Sequence, residues 1–217
     1  MNQKERARGD KVVRSNAIFA ALYDLMFTFA QRRGLANLRR ELVARSCGVT
    51  LEIGAGTGLN LAYYPSHLKR LILSEPDANM AKRLRSKVKK TGRVVSVVEA
   101  DARQLPLADN SIDTVVGTLV LCSVDDVGAV LAEVERVLVM GGRFLFIEHV
   151  RSENGILGWA QDWMVGPWSK LAGGCKCNLN SLASIRSCAL KTEVVRNETM
   201  RGLTPLVRPL IVGSAIK

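Results

Sequence analysis

The chain has 217 residues, 47% of them hydrophobic and 24% charged, which suits one soluble domain with a sizeable core. Its 31 basic against 20 acidic residues leave a formal net charge of +11, a balance that invites a nucleic-acid partner. Aromatic residues make up only 5%, however, and no basic stretch is interleaved with stacking side chains, so no nucleic acid is expected.

Residues 1–15 are polar and charged. The apolar run from Ala17 to Ala30 is interrupted by Asp24 and is too short to span a bilayer. Ile18, Leu22, Leu25 and Phe29 fall on one helical face, with Asp24, Thr28 and Gln31 on another, so the spacing predicts an amphipathic helix over residues 16–33. Such a helix caps the domain or lies on a membrane surface, and the basic residues around it (Arg32, Arg33, Arg39 and Arg40) favour peripheral membrane contact. Gly34 separates it from a second helix over 35–45, and Gly48 stops that one. Residues 1–48 therefore read as a helical extension and 49–217 as the main domain.

From Val49 onward strands and helices alternate. Val49 to Ile53 is an apolar strand, Gly54, Gly56 and Gly58 form a turn, and Leu59 to Tyr64 looks like the opening of a helix. Leu71 to Ser74 is the second strand. Asp77 caps a helix that runs to about Lys90 and stops at Gly92, its lysines and arginines from Lys82 onward forming a solvated face. Val94 to Val98 is a β-branched third strand, read as doubly buried. Ile112 to Gly117 is the fourth, Asp125 opens a helix reaching Val139, and Arg143 to Ile147 is the fifth. Lys191 to Arg196 and Val207 to Ile216 form a hairpin-like close. The fold class is α/β: a doubly wound, Rossmann-like sheet of seven strands, mostly parallel, with an antiparallel C-terminal strand. Residues 151–178 interrupt the alternation with all three tryptophans (Trp159, Trp163, Trp168) and Pro167. They read either as an insertion covering the site or as a helix anchored to the core by its tryptophans.

In open α/β sheets ligands sit outside the carboxyl ends of the strands. The first strand delivers Glu52 and the glycine turn. A dinucleotide fingerprint would need a third glycine at position 59, which holds Leu59, and Glu52 suits a ligand carrying positive charge. The second strand ends at Glu75 and Pro76, where an acid can accept from both hydroxyls of a ribose, and the Gly-to-acid spacing of about twenty residues is the expected one. The third ends at Asp101 and Ala102, an acceptor for an adenine amine beside a small side chain. The fourth exits through Thr118 and Leu119, and the fifth through Glu148 and His149. Five cysteines without a C-x-x-C pair, and two histidines (His67, His149), make no zinc pattern, so no metal ligand set is expected. Free thiols in a reducing cytoplasm are the simplest account, with Cys122 and Cys175 behaving as small hydrophobes.

The string from Leu51 to Asn60 (LEIGAGTGLN) closely resembles the first motif of class I S-adenosylmethionine (SAM) methyltransferases. Asp101, Leu105-Pro106-Leu107 and Asn110-Ser111-Ile112-Asp113 resemble later motifs of the same class, in register. Pro167, Trp168, Gly173-Gly174-Cys175, Asn178, Ser181, Ile185 and the ending from Val207 to Gly213 are similar to the methyltransferase-like family of animal alkyl-thiol methyltransferases and their bacterial relatives. Two positions depart from the bacterial pattern: Lys176 and Leu179 stand where histidine and arginine are common. The resemblance implies SAM as cofactor and S-adenosylhomocysteine as product. It implies contacts from Glu52, Gly54, Ala55, Gly56, Gly58, Asn60, Glu75, Pro76, Met80, Asp101, Ala102, Thr118 and Leu119.

The implied chemistry is in-line attack on the sulfonium methyl by a small, fairly apolar acceptor, with an alkyl thiol leading and a quinone precursor or phospholipid headgroup as alternatives. Anion and sulfonium lose charge together, so a dry pocket helps. A free thiol has a pKa of about 8.5, which makes His149 the candidate general base; its other reading is a histidine hydrogen-bonded to the loop beside it. A non-catalytic SAM-binding or nucleic-acid-binding module is the reading from another class.

Overall fold

The computed structural model describes Leu25 and residues 28–217. Most of the helix expected over residues 16–33 lies outside the described residues. Within them, Leu25 and Phe29 are exposed. The chain kinks at Gly34 (φ +121°) within the segment Gln31–Leu35, and α1 follows over Ala36–Val43.

Seven strands form one sheet in the order β3-β2-β1-β4-β5-β7-β6. They are β1 (Val49–Ile53), β2 (Arg70–Ser74), β3 (Val95–Val98), β4 (Ile112–Thr118), β5 (Leu138–His149), β6 (Lys191–Thr199) and β7 (Pro209–Ile216). The first five are mutually parallel, and β7 runs antiparallel to both β5 and β6, as the patterning predicts. Alternate side chains of each strand feed opposite layers. Leu71, Leu73, Val116 and Leu145 pack with Leu35, Leu42 and Val43 of the N-terminal region and with Leu84 of α2 (Ala78–Thr91). Leu51, Ile53, Val115, Phe144 and Phe146 pack on the other side, against Val130, Leu131 and Val134 of α3 (Val127–Val137) and Ile185 of α5 (Ser181–Ser187).

Four expectations need correction. Asp77 does cap α2, accepting from the Asn79 and Met80 amides, and Gly92 ends it in the left-handed region. But β3 is the sheet edge rather than a doubly buried strand, and Val94 before it is 98% exposed; β-branched composition marks a pleated strand and not its place in the order. The segment after the glycine turn forms only a single 3-10 turn, Leu61–Tyr63, because Tyr64 must be extended ahead of Pro65. The helix after β4 is capped by Asp126, not Asp125, and ends at Val137; Leu138 already pairs with Ile112 as the start of β5. Finally, α4 (Gly155–Leu171) leaves Trp159 and Trp163 65% and 72% exposed, stacked on one another rather than sunk into the core. Trp168 alone packs inward. What pins α4 is Gln161, fully buried: its amide donates to the Cys177 and Leu206 carbonyls and its oxygen accepts from the Ser152 amide.

Candidate functional site

The three glycines after β1 all adopt positive φ, +57°, +56° and +79° in order, a region that L side chains enter only with strain. Their surroundings differ. A Cβ at Gly54 would lie 2.7 Å from Val120 Cγ2, and one at Gly58 would lie 2.7 Å from Leu84 Cδ1, so these two permit close packing. Nothing lies within 4 Å of a Cβ built at Gly56. The glycine at the centre of the turn thus presents bare backbone, and its neighbour Ala55 is tied to β2 through the Ser74 carbonyl.

Glu75, at the end of β2, closes this cradle. One carboxylate oxygen accepts from the Gly56 amide at 2.7 Å and the other from the Asp77 amide at 2.9 Å. Burial raises its pKa above the usual carboxylate range. Pro76 is half-buried and Met80 buried, in the first turn of α2. Next to them, the Glu75 amide and the Ser74 hydroxyl bond to the Val98 and Ala100 carbonyls, which brings the end of β3 alongside. There Ala102 is buried, and Asp101 is held bidentately by Arg103, whose hydrogen bonds lower the carboxyl pKa.

Beneath the turn lies a buried polar network. Glu52 accepts from Asn60 Nδ2 at 2.8 Å and from the Tyr64 hydroxyl at 2.8 Å. Arg39 of α1 donates to Asn60 Oδ1 at 2.9 Å and to Thr118 Oγ1 at 2.7 Å. Burial pushes Glu52 up to about 7, against the opposing pull of Tyr64, Arg39 and Asn60; burial beside the same carboxylate drives Tyr64 well up. Arg39, grouped by sequence with the surface arginines, is in fact 3% exposed and inside the site. Leu119, next after Thr118, takes φ +61°, a costly conformation for leucine, with its amide fixed to the Ile147 carbonyl. That twist delivers Val120 against Gly54.

On the other side of Val120 a second group gathers. Glu148 is fully buried, and its carboxylate accepts from three successive amides, Val120 and Leu121 at 2.9 and 3.0 Å and Cys122 at 3.3 Å. Burial raises it to about 7 in spite of these bonds. His149 Nδ1 lies 3.5 Å from Cys122 Sγ and 3.4 Å from Cys175 Sγ, and the two sulfurs are 3.8 Å apart. Hydrogen bonding with Cys122, then contact with His149, holds the Cys175 thiol low, while the same pairing and burial push Cys122 up. His149 Nε2 is buried without a hydrogen-bond partner among the described residues. Lys176, at one of the departures from the bacterial pattern, points out to Asp125 and the Val124 carbonyl.

The residues expected to meet a cofactor are thus gathered at the ends of β1 to β4 in two linked groups: Gly56 with Glu75, and Glu52 with Asn60 and Thr118. His149 stands apart from both. Sequence reading missed Arg39 and Tyr64 and placed Glu148 at a strand end without giving it a role, since a buried polar side chain and a surface one look alike in a string of letters. It also missed the meeting of Cys122 with Cys175, which lie far apart along the chain.

A family model described as a methyltransferase domain matches residues 51–146. The chain is 31% identical to the human thiol S-methyltransferase TMT1A over 203 residues, 92% of this chain and 83% of that protein. It is 32% identical to human thiol S-methyltransferase TMT1B, covering 88% of this chain and 83% of that one. A phosphatidylethanolamine N-methyltransferase of Cereibacter sphaeroides is 32% identical over 63% of this chain and 68% of its own length. Among solved structures, a SAM-dependent methyltransferase of Thermotoga maritima superposes with a TM-score of 0.69 at 22% identity, covering 93% of this chain and 97% of that one, a likeness of fold.

Proposed function

The chain belongs to the SAM-dependent methyltransferases, and from that premise we propose that its acceptor is a small, fairly apolar thiol. SAM is the cofactor. The cradle suits it: the bare backbone at Gly56, the buried acid Glu75 for ribose hydroxyls, Asp101 and Ala102 for the adenine edge, and the Glu52 carboxyl, once ionised, for the positively charged methionine part. Bound there, SAM supplies an electrophilic methyl group on a sulfonium sulfur.

The observation that carries the thiol reading is the chemistry beside the donor turn. Val120, Leu121, Cys122, Cys175 and half-buried Trp168 line the ends of β4 and β5, all apolar or sulfur-bearing. Dry surroundings favour attack by a small soft anion, because nucleophile and sulfonium neutralise each other in the transition state. The similarity to two thiol S-methyltransferases over most of the chain points the same way. For His149 as a general base, only Nε2 is unengaged, since Nδ1 already faces both thiols.

The test is a panel of acceptors with methyl-labelled SAM: alkyl thiols, quinone precursors and phosphatidylethanolamine vesicles, each followed by product identification. A labelled thioether is expected. Label appearing only in a quinone or lipid would overturn the thiol reading and leave the enzyme class intact. Peripheral membrane contact, from a cytoplasmic location, is part of the proposal. The exposed stripe of Ile156, Trp159, Trp163 and Leu171 on α4 supports it. No helix among the described residues is long and apolar enough to cross a membrane.

A further inference from the structure

Among the described residues, one group of three side chains has ligand atoms close enough to hold a metal ion: Cys122, His149 and Cys175, all buried. The three come from different elements. Cys122 is in the turn after β4, His149 ends β5, and Cys175 follows α4. Their separations carry information. A tetrahedral ion about 2.3 Å from each sulfur and about 2.0 Å from an imidazole nitrogen sets the sulfurs about 3.8 Å apart and each about 3.5 Å from the nitrogen. The observed sides are 3.8, 3.5 and 3.4 Å. Hydrogen bonds alone fit this triangle less well. Nδ1 has either one lone pair or one proton, so two thiols and one imidazole can put a proton on at most two of the three sides. An ion satisfies all three.

The backbone around the triangle is fixed, while His149 Nε2, which carries the ring proton once Nδ1 binds an ion, has no hydrogen-bond partner among the described residues. Glu148 holds the Cys122 amide, and the Lys176 amide donates to the Cys122 carbonyl at 2.7 Å, locking the two cysteine loops together. The Ser181 hydroxyl holds the His149 carbonyl. Gly173 and Gly174, at φ +61° and +91°, let the loop turn sharply enough to aim Cys175 inward.

We propose that Cys122, His149 and Cys175 bind one thiophilic metal ion, zinc by class, whose fourth position takes the sulfur of the acceptor thiol. Two thiolates and an imidazole select a soft or borderline ion over magnesium or calcium. Two thiolates also neutralise a divalent cation, which suits a buried site. Three protein ligands with a fourth position left over is the arrangement of catalytic rather than structural zinc. The group stands next to the donor turn, through Val120 against Gly54. This inference rests on the thiol reading and replaces a general base by metal ligation. The acceptor S–H gives its proton to solvent on coordination. Its sulfur lone pair then forms the S–CH3 bond while the sulfonium–methyl bond breaks, leaving S-adenosylhomocysteine and a neutral thioether, a weak ligand that dissociates.

The experiment uses the full-length protein, purified without chelators or a metal-affinity tag. Elemental analysis is expected to find about one zinc per chain, kept when Cys47 and Cys188 are replaced by serine and lost in Cys175→Ser. Because a ligand variant can misfold, the deciding measurement is on the unmutated chain with cobalt(II) in place of zinc. Intense tetrahedral d–d bands and thiolate-to-cobalt charge transfer are expected, and both should shift when an alkyl thiol is added without SAM. No retained metal together with no thiolate charge transfer overturns the site. A cobalt spectrum indifferent to a thiol that the enzyme nonetheless methylates overturns acceptor ligation. A thiol-sensitive spectrum with no thiol methylated keeps the site and refutes the thiol reading instead.

Discussion

Replacing Glu52 by glutamine should flatten the pH dependence of stability in one defined window. In the folded, cofactor-free chain burial lifts this carboxyl from 4.5 to about 7. The unfolded chain therefore ionises first as pH rises. Stability from this group is fully present below about 4.5, falls as pH climbs, and levels off above about 7. Each pH unit between the two values is worth about 1.4 kcal/mol, so the whole loss is on the order of 3 kcal/mol at most. Glutamine preserves the packing, since its oxygen can still accept from Asn60 and its amide can donate to the Tyr64 oxygen. Urea unfolding of both proteins across pH 4.5 to 8 isolates the Glu52 contribution as a difference, because the other buried carboxyls, Glu75 and Glu148, are common to both. The wild type should lose stability relative to Glu52→Gln as pH rises. A difference that stays constant, or that grows in favour of the wild type, would refute the reasoning and mean that Arg39 keeps Glu52 ionised throughout. The same argument makes SAM, with its cationic groups, bind more tightly above pH 7 than below it, and titration calorimetry would show the trend.

Two glycines of one turn should fail differently. Gly56→Ala should cost only about 1 kcal/mol of stability, from its left-handed backbone, while weakening SAM binding far more. Gly58→Ala drives a methyl toward Leu84 and should destabilise by roughly 2–3 kcal/mol. Thermal melts with and without SAM separate the two, and equal effects of both changes on melting and on binding would count against the cradle. Trp159→Ala with Trp163→Ala should change stability by less than about 1 kcal/mol, because both rings are exposed. If α4 meets a membrane, the same pair should lose co-sedimentation with anionic vesicles; unchanged sedimentation would remove that surface from consideration.

Local signals in the sequence carried much of this fold. Alternation placed β1, β2 and β4 within a residue or so, and Asp77 and Gly92 marked both ends of α2, because caps and strand periods depend on near neighbours. Sheet order is a long-range property, so a valine-rich β3 read as central turned out to be the edge. Tryptophans were the least informative letters: hydrophobic surface is as useful outside a fold as within it, and α4 is held down by Gln161, an unremarked polar residue, and by Asp162 on Arg151 and Asn178, with Trp168 the one tryptophan that packs inward. In the site, the glycine turn and Glu75 were legible because one segment supplies the first and a fixed spacing the second. Arg39 was not. Its burial depends on a network with Asn60 and Thr118 that only the tertiary arrangement assembles.

Glu148 has a consequence for how the protein comes together. The amides of Val120, Leu121 and Cys122 find their acceptor on a side chain of β5, not within their own turn. Until β5 docks, those three amides lack their acceptor and the turn keeps only the Ser123 amide on the Val120 carbonyl and the Lys176 amide on the Cys122 carbonyl, so the acceptor side of the site should order late and open in step with one strand. Hydrogen exchange would report it: protection at these three amides should track that of β5 and not that of the glycine turn. Donor and acceptor halves of one catalytic centre would then belong to different cooperative units. The enzyme could loosen one while keeping its grip on the other.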